Sequence, residues 1–169
     1  KVEGGLIGVL AGQRESRLTL LVTRPWGYLV EWAKWLASVN ALQGFNDWSP
    51  EREREATAII SYAAALGAPG VVLCPVHTED HGWTEANAER NLRDGLRHLR
   101  PILIDHGVTG YVEPLGMRGS TMKRQDMAVA AEADIDGGDA YRLCFDTFEF
   151  FRGSDTQLFP RQFGRAHMH

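Results

Sequence analysis

Apolar positions in this chain follow two alternating patterns. From about residue 49 onward, short continuous apolar runs are separated by longer segments in which apolar residues recur at helical spacing. The short runs predict buried strands, and the periodic segments predict helices with one apolar face. The predicted strands lie near residues 71, 110, 142 and 165.

Local signals place the ends of the predicted helices. The sequence Ser49-Pro50-Glu51 combines an N-cap, a proline in the first turn and an acid near the helix start, and Gly67 fits the end of that helix. A second helix is expected from Thr84 to Gly107, with Pro101 kinking it or dividing it in two. A third helix is expected over residues 122–135.

The spacing of the strands favours a barrel. Successive strands are separated by roughly 25 to 40 residues, and a (β/α)₈ barrel averages about 31 residues per unit. A doubly wound open sheet gives a similar period, but the Gly-rich phosphate loop typical of many such sheets is missing, since Gly116–Gly119 lacks the strand–loop–helix setting. We therefore predict an α/β fold over residues 35–169: a partial (β/α)₈ TIM barrel with parallel strands and the last strand absent.

Residues 1–34 differ in composition from the rest and are left unassigned. Leu18–Thr23 predicts a strand, and Trp26–Leu36 has an aromatic-rich helical pattern. No role for this segment follows from these patterns.

Composition narrows the classes of function. The chain has 169 residues, 44% of them hydrophobic, and a formal net charge of -4. This charge argues against a nucleic-acid-binding face, and no apolar stretch is long enough to span a membrane. Cys74 and Cys144 lie inside apolar runs, which predicts two buried free thiols and a cytoplasmic protein.

Three predicted strands each end in a candidate metal ligand. Glu113 follows the strand near residue 110, Asp146 ends the strand near 142, and His167 lies in the strand near 165. The carboxyl ends of parallel barrel strands carry the chemistry of this fold, and two carboxylates with an imidazole are ordinary ligands for a divalent cation. The pattern therefore predicts a metal-dependent enzyme site.

Other polar and aromatic groups carry weaker signals. His77-Thr-Glu-Asp-His81 fits neither H-E-x-x-H nor H-x-x-E-H and is expected to be a polar rim loop. Phe148, Phe150 and Phe151 are expected to be wall or core residues.

Several short sequence segments, in the same order along the chain, resemble those of one protein family. They are Asn40–Pro50, Leu73–Val76, Val112–Gly116 and Phe145–Phe148. Together they resemble the xylose isomerase-like TIM-barrel superfamily, and within it most closely the 2-keto-myo-inositol (inosose) isomerases and related sugar isomerases and epimerases. The resemblance covers about residues 36–169.

This resemblance implies a ligand set and a reaction. One divalent cation would be bound by a glutamate, an aspartate, a histidine and a final glutamate. Glu113, Asp146 and His167 match the first three, and the fourth belongs to a last strand that the chain does not contain. Glu113 would also be the catalytic acid or base in a proton transfer through an enediolate. Mn²⁺ or Mg²⁺ is favoured, with Co²⁺ or Zn²⁺ as alternatives.

The resemblance also implies positions that contact a sugar or inosose substrate. Relatives carry a histidine in a D-[ST]-F-H phrase where this chain has Glu149, and a polar residue such as asparagine is expected where it has His77. Lys123 is assigned to substrate binding as well.

Two other readings stay open. A metal-dependent abasic-site endonuclease would need more histidine ligands and a basic groove. A truncated, non-catalytic barrel fragment would expose two sheet edges, which favours association or aggregation, for example as a homo-oligomer. For the chain as given we expect little turnover.

Overall fold

The computed structural model describes residues 6–11, 18–23, 39–153 and 155–167. Near the N-terminus, β1 (Leu6–Ala11) and β2 (Leu18–Thr23) form an antiparallel pair. This pair confirms the strand predicted at Leu18–Thr23. The helix expected at Trp26–Leu36 lies outside the described residues.

From residue 39 onward, strands and helices alternate. In chain order the elements are β3 (Val39–Gln43), α1 (Pro50–Ala65), β4 (Gly70–Cys74), α2 (Glu85–His106), β5 (Thr109–Val112), α3 (Gln125–Asp134), β6 (Tyr141–Asp146), α4 (Thr147–Arg152) and β7 (Phe163–His167), with a 3-10 helix at Pro160–Gln162. None of the described helices has the length and apolar character needed to cross a membrane.

The strand order distinguishes the two fold classes that the sequence left open. The strands β3 to β7 are all parallel and lie side by side in chain order. A doubly wound sheet instead reverses its strand order at a switch point and carries helices on both faces. Here α1, α2 and α3 pack on one another and share one hydrophobic core with the sheet. The sheet is therefore an arc of a β/α barrel, as predicted.

The helix ends follow the predicted signals. The Ser49 side chain accepts a hydrogen bond from Arg52 N at 3.2 Å, and Gly107 ends α2 in the left-handed conformation with φ 62°. Division of α2 at Pro101 was wrong, because one helix runs through it. Pro101 lies on the exposed side, while a stripe of leucines on the opposite side is buried against the sheet: Leu92, Leu96, Leu99 and Leu103.

The outer face of the sheet and the helices form the main core. Leu73, Val112 and Leu143 lie in one hydrogen-bonded row across β4, β5 and β6, and all three are fully buried. Within this core, Tyr141 donates its hydroxyl hydrogen to the Leu96 carbonyl oxygen at 2.6 Å. This core fixes the relative positions of the strands.

Alternate strand residues point to the inner face, where a barrel keeps its interior. This face carries a smaller buried cluster: Val72, Cys74, Tyr111, Leu115 and Cys144. The expectation that the phenylalanines after β6 are wall or core residues was wrong for Phe148 and Phe151, which are 56% and 81% exposed. In α4 no residue is buried.

Glu132 is a buried carboxylate at the amino end of β6. It belongs to α3 and lies near Tyr141 and Arg142, the first residues of β6. It is 7% exposed, and its Oε1 has no hydrogen-bond partner. Burial raises the pKa of Glu132 to about 7, and the positive charge of Arg142 opposes this shift. The folded protein therefore binds this proton more tightly than the unfolded chain does.

Glu132→Gln should remove a pH-dependent loss of stability. Between pH 4.5 and 7 the unfolded chain loses the Glu132 proton while the folded protein keeps it, so stability falls as pH rises, by about 3 kcal/mol for this group. Urea unfolding should show the variant and the parent about equal at pH 4.5 and the variant more stable at pH 8. Glu53→Gln, at an exposed position of α1, is the control. A difference that does not change with pH would contradict this account.

Candidate functional site

The predicted ligands lie at the carboxyl edge of three neighbouring strands. Glu113 directly follows β5, Asp146 ends β6, and His167 ends β7. The backbone register pairs Asp146 with His167. The side chain of His167 lies outside the described residues, so this pairing describes its backbone only.

The register also sets different depths for the two carboxylates. Val112 pairs with Leu143, so Glu113 is level with Cys144 and lies two residues below Asp146 along the strand direction. Two residues of strand correspond to about 6–7 Å. The longer glutamate side chain therefore starts deeper in the sheet than the aspartate does.

Glu113 is buried between two thiols. The Cys74 thiol donates to its Oε2 at 3.3 Å, and the Cys144 thiol donates to its Oε1 at 3.7 Å. Both cysteines are free and buried, as predicted. Burial, and next the negative charge of Glu113, raise the pKa of each thiol well above its usual range. These thiols are therefore protonated donors rather than reactive thiolates.

Asp146 begins the helix that follows β6. Its Oδ1 accepts a hydrogen bond from the backbone N–H of Glu149 at 2.9 Å, so it is the N-cap of α4. Aspartate is a favoured N-cap residue, so helix capping by itself is a sufficient reason for an aspartate at this position. A test of its role must therefore separate the cap from the charge.

Glu149 carries a buried acceptor at the same turn. One of its oxygens lies 3.7 Å from a guanidinium nitrogen of Arg152, whereas Oε2 is buried and has no hydrogen-bond partner. A buried oxygen without a partner is costly, so such an atom often marks a place where a ligand or water binds.

The other two residues assigned to substrate binding lie in separate loops. His77 follows β4, and its Nδ1 lies 3.0 Å from the Pro75 carbonyl oxygen. Lys123 is exposed just before α3. Both residues lie in loops that connect the carboxyl end of a strand to the next helix, so these loops are at the same edge of the sheet as Glu113.

Three of these rim loops are joined by a buried asparagine. Asn46, which is 1% exposed, donates to the Thr121 hydroxyl at 2.9 Å and accepts from the Val76 N–H at 2.8 Å. The Thr121 hydroxyl donates to the Val76 carbonyl at 2.9 Å. This network links the loops after β3, β4 and β5. Sequence reasoning missed it, although Asn46 lies within one of the family-like phrases.

Close backbone contact joins the loops after β5 and β6. A side chain on Gly116 would place its Cβ 2.2 Å from Gly153 N and 2.3 Å from the Glu149 carbonyl oxygen. Gly116 is therefore a packing position against α4, which explains the glycine phrase that lacked a phosphate-binding setting.

Two further polar side chains near the carboxyl edge of the sheet each have one buried atom without a hydrogen-bond partner. Oε1 of Gln125, a residue that is 3% exposed, and Nε of Arg165 are buried without hydrogen-bond partners. Arg165 pairs with Cys144 in the register of β6 and β7. Its position two residues before His167 on the same strand was the signal that could have identified it.

The donor set fits a divalent cation in chemistry. Two carboxylates at neighbouring strand ends, with a histidine whose backbone pairs with one of them, are residue types that suit Mn²⁺, Mg²⁺, Co²⁺ or Zn²⁺. Among the side chains that the structure describes, no three of His, Cys, Asp and Glu already converge as a metal-binding group. The ligand set therefore stays a prediction, and so do the substrate-binding assignments.

Comparison with known proteins agrees with the fold. Residues 33–169 match the family model described as a xylose isomerase-like TIM barrel. A search of curated protein sequences finds no match to this chain.

Solved structures provide neighbours at low identity. A xylose isomerase domain-containing protein from Salmonella typhimurium LT2 has a TM-score of 0.71 at 19% identity, over 83% of this chain and 53% of its own. The IolI protein, solved with a zinc atom, has a TM-score of 0.72 at 19% identity, over 83% and 55%. 3-Keto-D-glucoside 4-epimerase YcjR from E. coli has a TM-score of 0.65 at 16% identity, over 83% and 65%. The chain spans about half the length of the first two, and at these identities the likeness shows the fold alone.

Asn46→Ala should destabilise the contacts among the loops after β3, β4 and β5. The variant removes the acceptor of the Val76 N–H and the group that donates to the Thr121 hydroxyl oxygen, which should lower the free energy of unfolding by about 2 kcal/mol. Chemical denaturation measures this loss, and amide hydrogen exchange should be faster at Val76 in particular. Asn87→Ala, in the first turn of α2, is the matched control. An equal loss in both variants would show that the asparagine network has no special role.

Proposed function

The chain belongs to the xylose isomerase-like TIM barrel family, and from this premise we propose that it carries part of a metal-dependent sugar or polyol isomerase or epimerase site. The proposed substrate is a keto-sugar or inosose, with 2-keto-myo-inositol preferred on the sequence resemblance. The observation that supports the proposal most directly is the register of β5, β6 and β7, which brings Glu113, Asp146 and His167 to one edge.

The reaction requires removal of a proton from carbon next to a carbonyl group. Glu113 would take this proton, since its carboxylate is the inner group at the rim and is held on both sides by thiols. Asp146 and His167 would bind the cation together with Glu113. When bound, a divalent cation stabilises the negative charge that develops on the substrate oxygens.

Glu149 would accept a hydrogen bond from a substrate hydroxyl group. Its buried Oε2 without a partner supports this role, because a polyol supplies the missing donor. His77 and Lys123 would contact the substrate from the loops after β4 and β5. A carboxylate at position 149 instead of a histidine would change which hydroxyl pattern is preferred.

The proposed partner is a small molecule rather than a nucleic acid. A net charge of -4 supports this choice over an abasic-site endonuclease, which needs a basic face for phosphates. Free buried thiols suit a reducing compartment, so the proposal places the protein in the cytoplasm, where it could also form a homo-oligomer.

Variants of Asp146 separate the ligand role from the cap role. Asparagine keeps an oxygen for the Glu149 N–H but removes the charge, whereas alanine removes both. If Asp146 is a ligand, calorimetric titration with Mn²⁺ should show binding in the parent and none in Asp146→Asn or Asp146→Ala. Stability should fall by about 1 kcal/mol in the alanine variant and much less in the asparagine variant.

A second capping aspartate provides the control for this experiment. The Asp155 carboxylate accepts from the backbone N–H of Gln125 at the start of α3, at 3.1 and 3.2 Å. Asp155→Asn makes the same chemical change at another helix start and should leave Mn²⁺ affinity unchanged. Parent-like affinity in Asp146→Asn would show that Asp146 is not a metal ligand. A folded parent that binds no Mn²⁺ would favour the non-catalytic reading.

A further inference from the structure

We infer that Cys74 and Cys144 are positioning residues, which hold the Glu113 carboxylate through one S–H···O hydrogen bond to each of its oxygens. The inference deepens the proposed function, on which it rests, because Glu113 is there both the ligand and the base. Neither cysteine was assigned to the site by the sequence analysis, whether from the ends of the predicted strands or from the family resemblance.

The geometry places one thiol on each side of the carboxylate. Cys74 ends β4, Cys144 lies in β6, and Glu113 follows β5 between them. The sulfur–oxygen distances are 3.3 Å to Oε2 and 3.7 Å to Oε1. All three residues are at most 7% exposed, so water has little access to these hydrogen bonds. Each oxygen thus has its own donor, from a different neighbouring strand.

The direction of these hydrogen bonds follows from the groups themselves. An ionised carboxylate has only acceptors, and a thiol has one hydrogen to donate. A glutamate side chain has several rotatable bonds, and fixing them costs conformational entropy when a ligand binds. Two donors that already fix the carboxylate lower this cost, in the way that outer groups orient the ligands of metal sites.

A disulfide does not explain the pair. Cys74 and Cys144 lie on strands separated by β5, and two strand spacings amount to about 9–10 Å. Disulfides require Cα atoms within about 7 Å. The two thiols therefore face the glutamate between them instead of each other.

Raman spectroscopy of the S–H stretching bands tests the hydrogen bonds without any metal. The chain has only two cysteines, so Cys74→Ser and Cys144→Ser each leave one band and assign both. In the parent, both bands should lie at the lower frequency of hydrogen-bonded thiols. Glu113→Gln keeps one acceptor oxygen and should release at least one band, and Glu113→Ala should release both. Bands that do not move in either variant would overturn the inference.

Titration with Mn²⁺ tests what the hydrogen bonds do. Cys74→Ala and Cys144→Ala should each weaken Mn²⁺ affinity about tenfold, and the serine variants should recover most of it because a hydroxyl also donates. Val72→Ala is the matched control, since Val72 is buried in the same inner cluster and offers no donor. A similar loss in Val72→Ala, or none in the cysteine-to-alanine variants, would overturn the positioning role.

The two readouts separate this inference from the proposed function. A parent that binds no Mn²⁺ counts against the metal site, while the Raman bands still decide whether the thiols hold Glu113. A parent that binds Mn²⁺ and loses it in Asp146→Asn, with unshifted thiol bands, supports the site and overturns the inference.

Discussion

The hydrogen-bonded register of β5, β6 and β7 is the constraint on which the candidate site depends. Side chains alternate between the faces of a sheet, so a slip of one residue would turn Cys144 to the outer face and separate Asp146 from His167. The buried row of Leu73, Val112 and Leu143 supports the β5–β6 part of this register from the opposite face, beneath the helices. The main core, on the opposite face of the sheet, therefore helps to determine where the groups at the carboxyl edge lie.

Buried polar atoms without hydrogen-bond partners occur at both ends of the sheet, and their consequences differ between the two ends. Glu149 and Gln125 lie at the carboxyl edge, where a bound ligand or water can supply the missing hydrogen bonds. Glu132 lies at the opposite end, near the start of β6, and its burial is compensated by holding a proton. The first two therefore lie at the same end of the sheet as the candidate site, whereas the third lowers the stability of the fold by an amount that varies with pH.

The sequence predicted what depends on neighbouring residues and missed what depends on register and distant contacts. The N-cap at Ser49, the helix start at Thr84 and the apolar run of β6 are local signals, and the structure confirms them. The greater depth of Glu113 relative to Asp146 is set by strand pairing, which no single segment contains. The Asn46–Thr121 hydrogen bond joins residues 75 positions apart. The helix α2 continues through Pro101 because burial of its leucines outweighs the helix-breaking tendency of proline.

The hydrogen bonds shown for the two carboxylates share one physical property. Thiols donate to Glu113, and a backbone N–H donates to Asp146. A neutral donor orients a carboxylate oxygen without adding a positive charge through that bond. A divalent cation needs ligands that are both fixed in place and negatively charged. The N-cap role of Asp146 therefore does not compete with a ligand role, because the capping bond to Oδ1 fixes its carboxylate much as the thiols fix that of Glu113.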